Sequence, residues 1–560
     1  MAKRGPERKK DGGVRPPEAL SATLAKGLDV LDALERAGRP LTLGDLCARL
    51  RLSKPTAHRL LATLAAYGFV RRDGRNGYRL GMRLFEMSQQ AGQDLDLRGH
   101  AGPAMEELHR QSGETVTLAI YADGAAVCID EFASVHHMRE QNRIGQRIPL
   151  FHTAVGKALV AGLPYPERQE LLGRVGEREL ANQRLDSLAK LSANLDLVSA
   201  RGYAMELEDH IPGIIGVAAP IVDHRGLAIA AIGLTGPTSR LDRDRLHELG
   251  PVLIETARAA SLQAGGAPRP VCRVPKPRQR PAKGLQVVAA TESLIGESPL
   301  PDPAGGRLYW VDICKPAIHS CELATGALTT FMPGEMVSAL ALTADGLLVA
   351  ARSGLRLVDP ATGEPLRTLA HPEAGRPANR YNDGRLDSEG RFWVGSLSIL
   401  GEENAGALHR LDPDGGCRRM EKDLTLPNAM DWAPDESLMY LVETSRRLVY
   451  AYEFDRGSGA IAGRRVLIEC PADRPGEPVG MAVDAEGCIW LSYWDGWRLE
   501  RYAPEGKLME TRWMSVPRPT GIAFGAGPEP VLYCASARIR ISREVLRQAP
   551  DSGAMFALPV

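Results

Sequence analysis

Six apolar strand cores recur along the C-terminal half of this chain, and they restrict its fold more than any other feature. Trp310, Leu348, Trp393, Tyr440, Trp490 and Tyr533 stand 38 to 50 residues apart, typically after a turn such as TADG, DSEG or DAEG. A second alternating run follows, as in GALHRLDPDG and RLERYAPEG. A unit of a few short antiparallel strands at that period is hydrophobic on both faces and is stable only between neighbours, so six units close into an all-β six-bladed propeller. The repeat assigns it to residues 285–560. It also locates a site. Five positions before the turn residue represented by Asp484, the units place Glu297, Ser338, Asn382, Asn428, Val479 and Thr520, which meet at one depth around the central channel. Five of the six carry oxygen, a ring suited to a hard divalent cation and a polyhydroxy ligand. Ser338 and Thr520 read as groups that satisfy strand ends, whereas Glu297 with two asparagines in one ring does not.

The N-terminal half carries a different signal, LSKPTAHRLLATLAAYGFVRRDGRNGYRL from Leu52 to Leu80. Ser53 caps a helix whose first turn tolerates Pro55, because the donors there lack intrahelical partners. Ala57, Leu60, Leu61 and Leu64 form one apolar stripe, leaving Lys54, Thr56, His58 and Arg59 to face outward. With Ser53, this is a hydrogen-bonding, cationic helix end suited to the major groove. Gly68 stops the helix, and a hairpin follows that carries Arg71, Arg72, Arg75 and Arg79. Four guanidinium groups on one ribbon repel each other unless a polyanion is present, so the hairpin reads as a wing gripping phosphates.

Composition agrees with this division. The formal net charge of the 560 residues is zero, yet residues 21–81 hold 11 Lys or Arg against 5 Asp or Glu, an asymmetry that points to nucleic acid. Nine scattered cysteines without a CxxC pair indicate neither a disulfide framework nor a thiolate zinc site and suit a reducing cytoplasm. No apolar run is long enough to span a bilayer, so no membrane partner is expected.

Residues 1–20 read as a disordered basic tail. Leu24, Leu28, Leu31 and Leu34 predict a first helix and Thr42 caps a second, giving a DNA-binding unit over 21–81 with a core of Leu28, Leu31, Leu46, Leu50 and Leu60. RLSKPTAHRLLATLAAYGFV followed by YRLGMRL resembles the winged helix-turn-helix of IclR-type transcription regulators. That resemblance implies a connecting helix over 82–98, a GAF-like α/β effector domain over 99–264, assembly as a homodimer or homotetramer, and an inverted-repeat double-stranded DNA operator. In the effector domain, RIPLFHTAVGKALVA makes His152, Thr153 and Gly156 candidates for a small carboxylate effector. The N-terminus of the helix that follows them attracts such a group. Thr153 as a simple cap and Gly156 as a packing residue explain the same pattern. Gly216 stands where the family commonly has a cysteine.

Residues 265–284, rich in Pro and with six Lys or Arg and no acid, read as an extended linker and solvated spacer, an argument against strong coupling between the propeller and the regulator half. Beyond it, GESP at Gly296, RYNDG at Arg380, LPNAMDW at Leu426 and VGMAVDAEG at Val479 resemble the gluconolactonase/regucalcin family, sugar-acid lactonases that use one divalent metal. The resemblance implies metal contact by Glu297 and Asn428 and substrate contact by Arg380 and Asn382. The family's third ligand, an Asp in a PDGM motif, is Val479 here, in PVGM. Loss of a general base costs about 10²- to 10⁴-fold in rate, and the divalent ion (Ca, Zn or Mg) is weakened or lost. Asp383 and Asp495, a few residues from channel positions, are the candidate substitutes. The chain therefore reads as a multidomain regulator of a sugar-acid catabolic operon whose propeller senses a sugar acid or lactone. The alternative is a bifunctional regulator and metal-dependent lactone hydrolase.

Overall fold

The computed structural model describes residues 21–37, 39–73, 76–91, 97–122, 124–175, 188–268, 274, 276–525 and 530–560. Two units are distinguished, Met1–Asp96 and Leu97–Val560. In the first, α1 (Ala22–Ala37), α2 (Leu43–Leu50) and α3 (Lys54–Ala66) precede a small sheet of β1 (Leu41–Thr42), β2 (Val70–Asp73) and β3 (Gly77–Leu80), ordered β1-β3-β2. Thr42 starts α2 with a reciprocal cap: its hydroxyl accepts from the Asp45 N–H, and the Asp45 carboxylate accepts from the Thr42 N–H at 2.9 Å. Gly68 sits at φ +78, which ends the turn after α3. Val30, Leu34, Leu41, Leu46, Leu61, Val70 and Tyr78 form the core.

The inward face of α1 differs from the one its leucine spacing predicts. Leu24 and Leu28 are 64% and 55% exposed, and Val30, Ala33 and Leu34 turn inward instead. The helix is rotated, with Gly27 buried beside Leu60 of α3 on the same face as Val30 and Leu34, which leaves Leu24 and Leu28 on the solvent side. Within the stretch expected as a connecting helix, 82–98, helix α4 covers Met82–Ala91 and helix α5 begins at Leu97, and residues 92–96 lie outside the described residues. The N-terminal tail, Arg75 and residues 269–273 of the linker lie outside the described residues.

The second unit opens with an α/β domain built on six antiparallel strands. These are β4 (Thr115–Ala122), β5 (Ala125–Phe132), β6 (Arg147–Ile148), β7 (Ala204–Leu207), β8 (Ile214–Val222) and β9 (Ala228–Pro237), ordered β6-β5-β4-β9-β8-β7. The two-residue period of a strand divides their side chains. Leu118, Val217 and Ala219 pack under α5 (Leu97–Ser112) and a long later helix, while Ala119, Ala218 and Ala231 pack against helices on the opposite face. Those opposite helices are α6 (Ala154–Ala161), α7 (Tyr165–Gly173) and α8 (Leu188–Arg201), and the long helix is α9 (Arg243–Gln263).

The propeller has six four-stranded blades. Its innermost strands are Gly296–Asp302, Val337–Thr343, Asn379–Leu386, Pro427–Trp432, Glu477–Val483 and Pro519–Phe524. The six repeat anchors all fall on the second strands. Alternation feeds each blade's two faces into two cores: Trp310 packs toward blade six, while Tyr309 and Val311 pack toward blade two. Five such cores join consecutive blades and the sixth joins the last blade to the first. The ring is closed by Gln286–Ala289, which pairs with Met555–Pro559 as the outer strand of blade six.

The α/β domain docks directly on the propeller, which overturns the expectation of a loosely tethered appendage. Leu294, Cys314 and Ile539 of the propeller join the hydrophobic core beneath α5 and α9. Asp196 on α8 is held by Arg168 at 2.7 Å and by Arg352 of the propeller at 2.9 Å. Arg540 donates to the carbonyls of Ser199 and Ala200 at the end of α8. The described part of the linker also packs down: Val274 and Ala282 lie against the core between blades five and six, and the Ala282 N–H donates to Trp513 O at 2.7 Å. Proline removes donors from such a segment, but its remaining apolar and polar groups still find partners on the surface they cross.

Candidate functional site

The channel ring is built by a repeated backbone irregularity. Each innermost strand breaks its ladder register at the ring position: between Glu297 and Leu300, Val337 and Ala339, Tyr381 and Gly384, Pro427 and Met430, Pro478 and Met481, and Pro519 and Ile522. An extra residue in a bulge re-aims a side chain out of the sheet's alternation. Hydrogen bonds then link neighbouring blades. Asn382 Nδ2 donates to Pro427 O at 3.0 Å, Thr444 Oγ1 donates to Pro478 O at 2.7 Å, and Thr520 Oγ1 donates to Gly296 O. Ser338 Oγ donates to Ala350 O at 3.3 Å. Thr520 and Ser338 thus satisfy strand carbonyls.

Glu297 and Asn428 are buried in the ring. Burial, reinforced by the nearby Asp383 carboxylate, pushes Glu297 up to about 8, against the opposing backbone N–H of Gly521 and the Arg380 guanidinium. Asn428 gives its Nδ2 to Thr444 Oγ1 at 3.2 Å, leaving its carbonyl oxygen without a partner among the described residues. Arg380 donates to Tyr381 O at 2.7 Å and to Asn382 Oδ1 at 3.2 Å. Both ends of the Asn382 amide are therefore engaged, and its role in this arrangement is to hold Arg380. Val479, 5% exposed, presents hydrocarbon at the position of the third donor. One carboxylate and one amide oxygen fit a divalent cation only with help from ligand or water oxygens, and a cation must first displace a proton from Glu297.

The two substitute carboxylates differ in their surroundings. Asp495 is committed to Arg518, with Oδ2 accepting from its NH2 at 3.1 Å, and Arg518 is in turn anchored on Ile539 O. An ion pair that fixes a loop is not a free base, so Asp495 leaves the candidate set. Asp383 lies one residue past the ring and lines a cavity of about 320 Å³ farther along the channel, with Arg385 and Asp431. Burial raises its pKa, while Arg385 and the Gly384 N–H oppose the rise.

In the effector domain, Thr153 caps α6: its hydroxyl accepts from the Gly156 N–H at 3.2 Å and donates to Pro149 O at 2.8 Å. A Cβ on Gly156 would lie 2.3 Å from Leu150 O, so that residue allows close packing. The carboxylate at the helix N-terminus is the protein's own. Glu206 accepts from the Ala154 N–H at 3.2 Å, and burial, aided by Glu140, pushes it up to about 8. Sequence reasoning missed Glu206, although its alternation in GYAMELED placed it on an inward face. His152 is buried with neither ring nitrogen bonded, and burial followed by repulsion from Lys157 lowers it to about 4. Lys157 is buried beside it, donating to Met205 O and paired with Asp209. These groups give the domain a polar interior that a small acid could enter.

On the DNA-binding unit, Ser53, Lys54, His58 and Arg59 of α3 and Arg71 and Arg72 of β2 are exposed, and Thr56 is half-buried. Ser53 Oγ accepts from the Thr56 N–H at 3.4 Å. Arg79 reaches Asp73 at 3.5 Å across the hairpin.

This combination defines a DNA-binding regulator joined to a propeller of lactonase type. Residues 23–74 match the IclR helix-turn-helix domain, 89–262 the bacterial transcriptional regulator IclR C-terminal domain, and 295–538 the SMP-30/Gluconolactonase/LRE-like region. The chain is 34% identical over 49% of its length to a 6-deoxy-6-sulfogluconolactonase of Pseudomonas putida, covering 94% of that protein. It is 33% identical over 45% of its length to the HTH-type transcriptional regulator KdgR of Dickeya chrysanthemi, covering 82% of it. It is 32% identical over 47% of its length to the transcriptional repressor IclR of Escherichia coli K12, covering 97% of it. The chain belongs to the IclR family of DNA-binding regulators through its N-terminal half and to the SMP-30/gluconolactonase family through its C-terminal half.

Proposed function

We propose that this protein is a cytoplasmic regulator of a sugar-acid catabolic operon, and that its propeller reports the presence of a sugar lactone or the derived acid without turning it over efficiently. The observation that carries this reading is the hydrocarbon side chain of Val479 in a ring that otherwise offers Glu297, Asn428, Asn382 and Arg380. The ring retains groups that grip a polyhydroxy acid, but the carboxylate that would both anchor a cation and take a proton from water is absent at its expected place. Glu297 and Asn428 would hold a divalent cation, Ca, Zn or Mg, more weakly than a three-donor set does. Bound there, the cation would polarise the lactone carbonyl. Arg380, steadied by Asn382, would orient the ligand's oxygens.

Lys54, His58 and Arg59 would read an inverted-repeat operator through a homodimer or homotetramer, with Arg71, Arg72 and Arg75 on phosphates. The pocket around His152 and Glu206 would take a small carboxylate effector. Contact between the effector domain and the propeller supports coupling of sugar binding to DNA affinity, which requires unequal ligand affinity in the two states. The test is operator affinity of the full chain by fluorescence anisotropy, with and without gluconolactone or gluconate. A change of threefold or more supports the sensor; an unchanged affinity with measurable hydrolysis favours the bifunctional enzyme, for which Asp383 is the remaining candidate base.

A further inference from the structure

A cavity of about 480 Å³ lies where the effector domain, the start of the linker and the propeller meet. It is separate from the channel ring and from the interior around His152. Arg168, Arg225, Arg258 and Arg540 line it, and no carboxylate does among the described residues. The guanidinium charge is only partly compensated. Asp196 is shared between Arg168 and the propeller's Arg352, Arg225 pairs with Asp223, and Arg540 has the carbonyls of Ser199 and Ala200. Arg258 and Arg168 each have a buried Nε with no hydrogen-bond partner among the described residues, and Arg168 is only 3% exposed.

A second feature has the same polarity. Helix α7 begins at Tyr165 beside this cavity, and Pro164 at its N-cap supplies no side-chain cap, so its first N–H groups add positive potential. Apolar walls come from Val198, Ile254, Leu227 and Leu400. The volume falls in the range of small-molecule sites. Buried guanidinium groups with unused donors and no full counter-charge are costly, and planar oxyanions are the groups that satisfy them in pairs.

We propose that this interdomain cavity binds a small organic oxyanion, a carboxylate or phosphate ester of about hexose size, clamped by Arg258 and Arg168 from the effector domain and Arg540 from the propeller. Both halves of the protein supply walls, so the bound anion strengthens their contact.

The test is calorimetry on the full chain with gluconate, 6-phosphogluconate, inorganic phosphate and uncharged glucose as probes. The two sugar acids distinguish carboxylate from phosphate preference, and inorganic phosphate shows whether the organic body matters. Binding of at least one organic anion, and not of glucose, is expected. Arg258→Gln should weaken it about tenfold or more. Leu400→Trp, which fills the cavity from the propeller side and keeps every charge, should do the same. Binding unchanged in both variants, or no binding of any anion, overturns the proposal. Gluconate is also the ligand read for the channel ring, so Arg380→Ala should remove that second heat component and leave the component that Arg258→Gln removes. A propeller that fails to bind sugar lactones would overturn the sensor reading alone and leave this result intact.

Discussion

Arg352 of the propeller and Asp196 of the effector domain form an ion pair across the domain junction at 2.9 Å, with side chains 13% and 2% exposed. Arg168 takes the other oxygen of the same carboxylate. Removing Asp196 leaves two guanidinium groups without their counter-charge, a loss of about 3 to 5 kcal/mol for a buried pair. Asp196→Ala should therefore lower the melting temperature and separate calorimetric unfolding into two transitions. Arg352→Ala removes only the cross-domain arm and should separate the transitions with a smaller loss. A single unshifted transition in both variants would contradict a docked interface.

Arg59 lies exposed on α3 and Arg71 on the first strand of the wing. Arg59→Ala should weaken operator binding and relax preference at one base position, a loss of about 1 to 3 kcal/mol. Arg71→Ala should weaken all sequences alike and reduce the salt slope by about one. Titrations against randomised operators at several salt concentrations separate the two outcomes.

Glu206 gives a pH dependence with a defined sign. Its folded pKa of about 8 lies above its ordinary 4.5, so the folded protein holds a proton that the unfolded chain gives up. The resulting stability is fully present below pH 4.5 and is lost as pH rises through about 8. Glu206→Gln should flatten the fall in melting temperature between pH 5 and 8. His152 and His247, both depressed by burial, act in the opposite direction and lose their contribution as pH falls below 6.5. The Gln variant should leave that acid limb in place.

The propeller was legible because its signal is periodic. Trp310, Trp393 and Trp490 mark second strands by residue type, and a closed ring follows from the number of repeats. The ring residues could be aligned by counting, since every blade carries the same bulge at the same offset. The docking of the two domains could not be read this way. Leu294, Cys314 and Ile539 look like ordinary strand-end residues, and only the fold reveals that they enter another domain's core. The outward turn of Leu24 and Leu28 was hidden for a related reason: leucine spacing marks one stripe, but the face that packs runs through Gly27, Val30 and Leu34, where a glycine gives no apolar signal. Asp495 looked available until Arg518, 23 residues away, was brought to it. Glu206 was overlooked because a lone acid in an apolar strand has no spacing partner.

Val479 carries the central claim, and the most direct measurement is proton release at constant pH from a sugar lactone, comparing the wild type with Val479→Asp in the presence of Ca²⁺. The substitution is close in size and returns a third oxygen donor and a base to the ring beside Glu297 and Asn428. The wild type should hydrolyse the lactone barely above the uncatalysed background. The variant should exceed it by about 10²-fold or more, the usual worth of a general base. A wild type already as fast as Val479→Asp would contradict the sensor account and assign the proton transfer to another group, with Asp383 the first to replace.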